Sequence, residues 1–243
     1  RNRVGILSEA YAYASFEERV RSTLHFVEET LRFAHERANT ITSLVERVDD
    51  QSVVGMRLTT RATAQRSETP VQILLGATEE VQNPFTRATM KRRLDVVEPT
   101  TMYEYGTFSA TDEETAPAAY YIPADLTAVI DLLAAHGVDG GATDATTTIA
   151  AEQFTITASS QDDRLFEGHL QRTVDGAWEP VEQEVPAGTL VVPVDQPLGR
   201  LIFSLLEPRS DDGVVNWNLL DDQMRVGAVY PILRVTERAP IEP

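Results

Sequence analysis

Cysteine is absent from the 243 residues, which excludes a disulfide framework, a thiolate metal site and a cysteine nucleophile. Basic residues are few: 21 Lys and Arg stand against 38 Asp and Glu, giving a formal net charge of -17 at pH 7. Because nucleic acids and anionic membranes are bound through basic faces, neither is expected as a partner. No apolar run approaches the roughly 20 residues of a membrane-spanning helix, so no membrane span is expected either.

The composition that remains is typical of a globular protein. Hydrophobic residues make up 42% of the chain and charged residues 24%, and a chain of this length can form one large domain or two. The first pattern is the apolar run Val4-Gly5-Ile6-Leu7, which is typical of a buried strand in an α/β sheet. Such a strand needs neighbours on both sides, and the sequence provides no lead-in to it. We therefore expect the amino-terminal part of a larger protein to precede this chain.

One carboxylate, Glu9, follows this run directly. Its position corresponds to the carboxyl end of a strand just ahead of a helix, where open α/β sheets bind their ligands. A carboxylate there can act as a general base on water if a metal or another group polarises the water and the substrate. Most acids at strand ends are simply solvated, so position alone is weak evidence. Glu9 is the catalytic candidate, and it needs partner groups from outside this chain.

Residues 16–48 carry apolar side chains at steps of three and four, which predicts one amphipathic helix that could break near Asn39-Thr40. The opposite face carries acids and arginines spaced for surface ion pairs. Such a helix covers one face of a sheet. Without that sheet, the helix and the run at 4–7 would expose an apolar patch that favours association.

Past residue 50 the pattern changes to short strand-like segments separated by turns, and we place a domain boundary there. One helix interrupts them: it begins at Pro123, ends at His136 and has Gly137 as its C′ residue. The charged stretch 76–100 is either an ordered excursion or a loop. The predicted strands are 52–60, 71–75, 101–109, 152–158, 189–194, 200–206 and 228–235.

These patterns predict an α+β fold in two parts. Residues 1–48 form the terminal strand and long helix of a truncated α/β domain. Residues 49–243 form a β-rich, sandwich-like accessory region with one prominent helix, which could divide into 49–117 and 118–243.

The spacing of His25 and Glu28 matches an HxxE pattern that supplies two zinc ligands in some proteins. Both residues lie inside the amphipathic helix among other charged residues, so a solvated helix face is the preferred interpretation. His35 is about 15 Å from His25 at helical rise, too far to share a metal. We therefore predict no zinc site from these histidines.

Three further features have structural interpretations. The segment SDDGVVNW (210–217) has two acids and a glycine but lacks the other ligands of a calcium loop, so a turn between strands is preferred. His169 lies in a polar segment that we expect to be exposed. The aromatic residues could form a binding face, but in strands they usually belong to the core; they are Tyr120, Tyr121, Trp178 and Trp217.

Several long strings carry a family resemblance. NRVGILSEAYAYASFEERVRST, followed by a long helix, resembles the end of the catalytic domain of M14-type zinc carboxypeptidases, in bacterial members with a long carboxyl-terminal extension. PAAYYIPADLTAVIDLLAAHGV, VPVDQPLGRLIFSLLEPRSDDGVVNWNLLD and the closing VYPILRV are similar to that extension. The resemblance covers most of the chain.

The resemblance implies that Glu9 is the general base of a peptidase that hydrolyses peptide bonds near a carboxyl terminus. In that family zinc, held by two histidines and a glutamate from earlier in the protein, polarises the scissile carbonyl and a bound water. Glu9 would take the proton from this water and pass it to the leaving amine. The zinc ligands, the arginine that binds the substrate carboxylate and the active-site tyrosine all precede the glutamate in the family. This chain alone is therefore expected to bind no catalytic zinc and to cleave nothing.

The resemblance also implies an extracellular or periplasmic location, and packing between residues 1–48 and the missing amino-terminal part of the catalytic domain. The accessory region would pack on that domain or help to bind a substrate or a surface. The alternative is a protein of another class, a non-catalytic β-rich binding or scaffold module in which the opening helix is purely structural.

Overall fold

The computed structural model describes residues 2–236. Within this range the chain forms four α-helices and ten strands, which confirms the predicted α+β, β-rich fold. The helices are α1 (Phe16–Glu36), α2 (Ala38–Asp49), α3 (Thr127–His136) and α4 (Gly199–Leu206). The strands are β1 (Arg57–Gln65), β2 (Val71–Gln82), β3 (Thr89–Met102), β4 (Thr107–Thr115), β5 (Ala119–Ile122), β6 (Gly141–Ala142), β7 (Thr147–Gln161), β8 (Arg172–Val185), β9 (Leu190–Pro193) and β10 (Leu233–Val235).

The chain separates into two compact units. Unit 1 comprises Arg1–Asn2, Glu46–Thr63 and Ser109–Pro243, and unit 2 comprises Arg3–Val45 and Ala64–Phe108. The chain therefore leaves unit 1 within β1 and returns to it within β4. These two strands pair with each other.

The predicted long helix forms as α1 and α2, with the break at Arg37, two residues before the predicted position. Ser15 begins α1 with a capping box: its hydroxyl oxygen accepts a hydrogen bond from the Glu18 amide (3.3 Å), and its own amide donates to the Glu18 carboxylate (2.8 Å). These bonds satisfy backbone donors that the helix cannot pair internally. Local sequence is therefore enough to fix where α1 begins.

The predicted strand at residues 4–7 is wrong, because no strand forms there. Val4, Ile6 and Leu7 are 65%, 58% and 81% exposed. A strand requires a neighbour for its backbone hydrogen bonds, and no segment among the described residues pairs with this run.

Strands β2 and β3 form an antiparallel hairpin, so the stretch 76–100 is the ordered excursion of the two alternatives. Its tip is held by Asn83, whose side-chain oxygen accepts hydrogen bonds from the amides of Phe85 (2.9 Å) and Thr86 (3.0 Å). The predicted strand at 101–109 is wrong as a single element, since it falls on the end of β3, a break and the start of β4. The predicted strand at 52–60 is displaced: residues 54–55 form a turn, and β1 begins at Arg57.

Unit 1 is built on a six-stranded antiparallel sheet with the order β6-β9-β5-β10-β7-β8. Helix α3 ends at His136, as predicted, and the following Gly137 has a φ of 74°, as expected of a C′ glycine; the helix begins at Thr127, four residues after the predicted start at Pro123. The core contains side chains from β5, β7, α3, α4 and the segment before β10, among them Tyr120, Phe154, Leu133, Ile202, Phe203 and Tyr230.

Two predicted strands of unit 1 need correction, and one long strand was missed. Residues 200–206 form α4 rather than a strand, because a short apolar run has no decisive periodicity and its buried residues, Ile202, Phe203, Leu205 and Leu206, fit a helical face. The strand predicted at 228–235 shortens to β10, since Pro231 cannot donate to a ladder. Strand β8 was not predicted, because it is polar along most of its length.

Candidate functional site

Glu9 lies in unit 2, in the extended segment ahead of α1. Its side chain is exposed and makes no hydrogen bond or ion pair with another described residue. The segment that follows is anchored: the Arg93 amide donates to the carbonyl of Tyr13 (3.3 Å), and the Arg93 guanidinium pairs with Glu18 (3.1 Å). The chain between Glu9 and α1 is therefore anchored at Tyr13, and the Glu9 carboxylate is open to solvent.

Helix α1 contains no buried residue, although its apolar face is continuous. Ala10, the residue after Glu9, lines a groove of about 420 Å³ along this face. The other lining residues come from the first three turns of α1 and are Phe16, Arg19, Val20, Thr23, Leu24 and Val27. An apolar face of this extent is uncommon on a free surface and is typical of a contact with another domain or protein.

The described residues do not fit a zinc site. His25 and Glu28 are exposed on α1, and His35 lies further along the same helix. No group of three or more His, Asp or Glu side chains in residues 2–236 could hold a metal ion. Glu9 is thus not accompanied by zinc ligands from the described part of this chain.

A buried polar network occupies the centre of unit 1. Glu207 is 1% exposed and accepts hydrogen bonds from the Tyr120 hydroxyl (2.7 Å), the Trp178 indole (3.2 Å) and the Arg234 guanidinium (3.2 Å). Arg234 also pairs with Glu152 at 2.6 Å and lies over the Trp178 ring at 4.2 Å. Every group in the network is occupied by protein partners, so it connects α4, β5, β7, β8 and β10 rather than presenting a reactive group.

The charges in this network shift one another's ionisation. Burial raises the pKa of Glu207, although Arg234 and the Tyr120 hydroxyl act in the opposite direction. Burial would lower the pKa of Arg234, but Glu207, Glu152 and Glu114 together raise it. Burial is the largest influence on Glu207, and the Arg234 charge and the Tyr120 hydrogen bond offset it only in part, so the pKa of Glu207 stays raised.

A second arrangement in unit 1 surrounds Trp217, which is 39% exposed. The indole nitrogen donates to Oδ1 of Asp212 (2.6 Å), and the imidazole of His169 stacks on the ring with centroids 4.3 Å apart. The segment before His169 is exposed, as predicted, while His169 itself is half-buried and both of its ring nitrogens are shielded from solvent. The acids of the 210–217 segment hold a turn, as predicted, but the turn follows a helix rather than a strand.

The structure does not bring the four candidate aromatic residues into one binding face. Tyr120 is fully buried and Trp178 packs against the same core, whereas Trp217 lines a separate pocket. Sequence reasoning missed Glu207 and Arg234 as a buried pair. The available signal was a charge at the end of the apolar run LIFSLLE and another inside PILRV, where solvated positions are not expected.

None of the described helices is both long and apolar enough to cross a membrane. The fold defines the class of the protein as α+β with a predominance of strands. Comparison with family models, with curated proteins and with solved structures gave no match.

Proposed function

We propose that residues 1–48 complete the catalytic domain of an M14-type zinc carboxypeptidase and that Glu9 is its general base. The observation that carries this proposal is the apolar face of α1, exposed directly beside the segment that bears Glu9. A helix that packs on one side of a larger sheet has this pattern of exposure when the sheet is contributed by other residues. The exposure of Val4, Ile6 and Leu7 has the same explanation, since these side chains would become buried in that sheet.

The role of this chain in the reaction is confined to positioning and proton transfer. The capping box at Ser15 and the contacts of Arg93 fix the segment that follows Glu9. The Glu9 carboxylate is free to accept a proton from water and to return it to a leaving amine. Zinc would supply the polarisation, and its ligands would come from residues outside this chain.

The test is a Glu9→Gln substitution in a polypeptide that joins this chain to its upstream sequence. We expect kcat/KM on a peptide substrate to fall roughly 100- to 10,000-fold, the usual range for loss of a general base, with the zinc content unchanged. Glu28→Gln is the matched control, because Glu28 is an exposed acid of α1 outside the proposed site, and its activity should equal that of the parent. Full activity in Glu9→Gln, or none in the parent polypeptide, would reject the proposal.

A second candidate function is a non-catalytic binding module formed by unit 1. This unit has its own continuous core and a pocket beside Trp217 whose lining includes no paired acid and base. Activity of the longer polypeptide would assign the enzymatic role to the part of the protein that includes residues 1–48 and leave binding as the role of unit 1. An inactive longer polypeptide would leave binding as the sole function.

A further inference from the structure

Trp217 is held rigidly although much of its ring is exposed. Besides its bond to Asp212 and its stacking on His169, its amide donates to the carbonyl of Gly213 (3.0 Å). The next residue, Asn218, has a φ of 64°, a left-handed conformation that asparagine adopts more readily than most other residues apart from glycine.

The fixed ring forms one wall of a pocket of about 530 Å³, within the size range of small-ligand sites. The remaining walls are mainly leucine side chains from α3, α4 and the following turn, namely Leu132, Leu201, Leu205 and Leu219. Such a lining favours an aromatic or branched aliphatic group, because burial of apolar surface is the main gain available there.

Two polar side chains line the pocket, and one of them, Asp212, defines the charge that a ligand should carry. Only one carboxylate oxygen of Asp212 is used by Trp217, and the other, Oδ2, bonds to no described residue. His136 also lines the pocket, and its buried Nδ1 has no hydrogen-bond partner within residues 2–236. This nitrogen is shielded from the pocket by protein atoms, so it offers no contact to a ligand. The free carboxylate oxygen favours a cation over an anion.

We infer that this pocket, the Trp217 pocket, binds an aromatic or branched alkyl group that carries a positive charge next to it. The apolar group lies between the indole and the leucines, and the cation pairs with Asp212. A free arylalkylamine and a peptide with an aromatic residue beside a basic one share this chemistry. The inference is independent of the peptidase proposal, since its residues lie in unit 1 and no hydrolysis is involved.

Calorimetric titration of the whole chain with 2-phenylethylammonium and with 3-phenylpropionate tests the charge preference directly. The two probes match in ring and chain but differ in charge. We expect the cation to bind with a Kd on the order of 1 mM, the affinity of a small fragment, and the anion at least fivefold more weakly. A third probe, N-acetyl-Phe-Arg-amide, separates the sources: tighter binding than the amine identifies a peptide ligand, and weaker binding identifies a free amine.

Asp212→Asn keeps an acceptor for the Trp217 indole but removes the charge. The ratio of the Kd for the anion to the Kd for the cation should therefore fall to about one. Leu201→Gln should weaken the amine at least fivefold, whereas Leu165→Gln, at a residue 66% exposed outside the pocket, should have no effect. Circular dichroism confirms that each variant is folded. Absence of amine binding at 20-fold the expected Kd, equal affinity for both probes, or an unchanged preference in Asp212→Asn would overturn the inference.

Discussion

The hydroxyl of Tyr120 donates a 2.7 Å hydrogen bond to Oε1 of Glu207, and both side chains are buried in the core of unit 1. Tyr120 lies on β5 and Glu207 at the end of α4, so this bond joins the sheet to the helix that covers it. Its neighbours, Arg234 and Trp178, complete the bonding of the same carboxylate.

Tyr120→Phe should lower the free energy of unfolding by about 1–3 kcal/mol, because it removes one donor from a buried carboxylate and leaves the ring packing intact. Tyr121→Phe is the control, since Tyr121 is adjacent, half-buried and bonded through its hydroxyl to no described residue. Urea denaturation of both variants measures the difference. Equal stability of Tyr120→Phe and the native chain would mean that the bond contributes nothing net.

The raised pKa of Glu207 predicts a specific pH dependence. The folded state binds the Glu207 proton more tightly than the unfolded state does. The protonated side chain therefore adds to the free energy of unfolding in full below pH 4.5, the ordinary pKa of glutamate, and this stabilisation is lost as pH rises through the folded-state pKa. Replacing Glu207 by Gln removes this contribution. From pH 4.5 upward, the native chain should therefore lose stability relative to Glu207→Gln, and then the difference should become constant. A constant difference over the whole range in urea titrations would contradict the prediction.

Ser15→Ala should destabilise the start of α1 by about 1 kcal/mol, because it removes the hydroxyl acceptor of the capping box. Hydrogen exchange of the amides in residues 16–20 measures the effect, which should appear there first and fade along the helix. Ser22→Ala is the control: Ser22 is an exposed interior residue of the same helix, where alanine has the higher helix propensity. Faster exchange in Ser22→Ala than in Ser15→Ala would argue against capping.

Gly176→Ala should be strongly destabilising, by more than about 2 kcal/mol, because a Cβ would collide with the Thr155 carbonyl and lie 2.7 Å from the Phe154 ring. Gly176 pairs with Ile156 beside the register shift in β7, where the two backbones approach closely. Gly141→Ala is the control, since nothing lies within 4 Å of its added Cβ. Thermal unfolding of the two variants measures the contrast, and similar midpoints would show that β7 and β8 separate readily.

Local sequence determined the features that depend on nearby residues alone. Steps of three and four predicted the helical stretch of α1 and α2, and Gly137 predicted the end of α3, because helix periodicity and a left-handed C′ residue are local properties. The strand-rich character past residue 50 followed from alternation and turns in the same way. The absence of a strand at 4–7 did not follow, since a strand forms only with a partner for its backbone.

The candidate sites also differ in whether the sequence alone could find them. The sequence identified Glu9 by its position and a family resemblance, and its catalytic role stays a prediction. Only the tertiary structure revealed that Glu207 and Arg234, 27 residues apart, share one buried network. The same is true of Trp217, His136 and Asp212, which line a common pocket. Helix ends and periodic faces are set by contacts within a few residues, whereas buried charges and pockets depend on which distant segments the fold brings together.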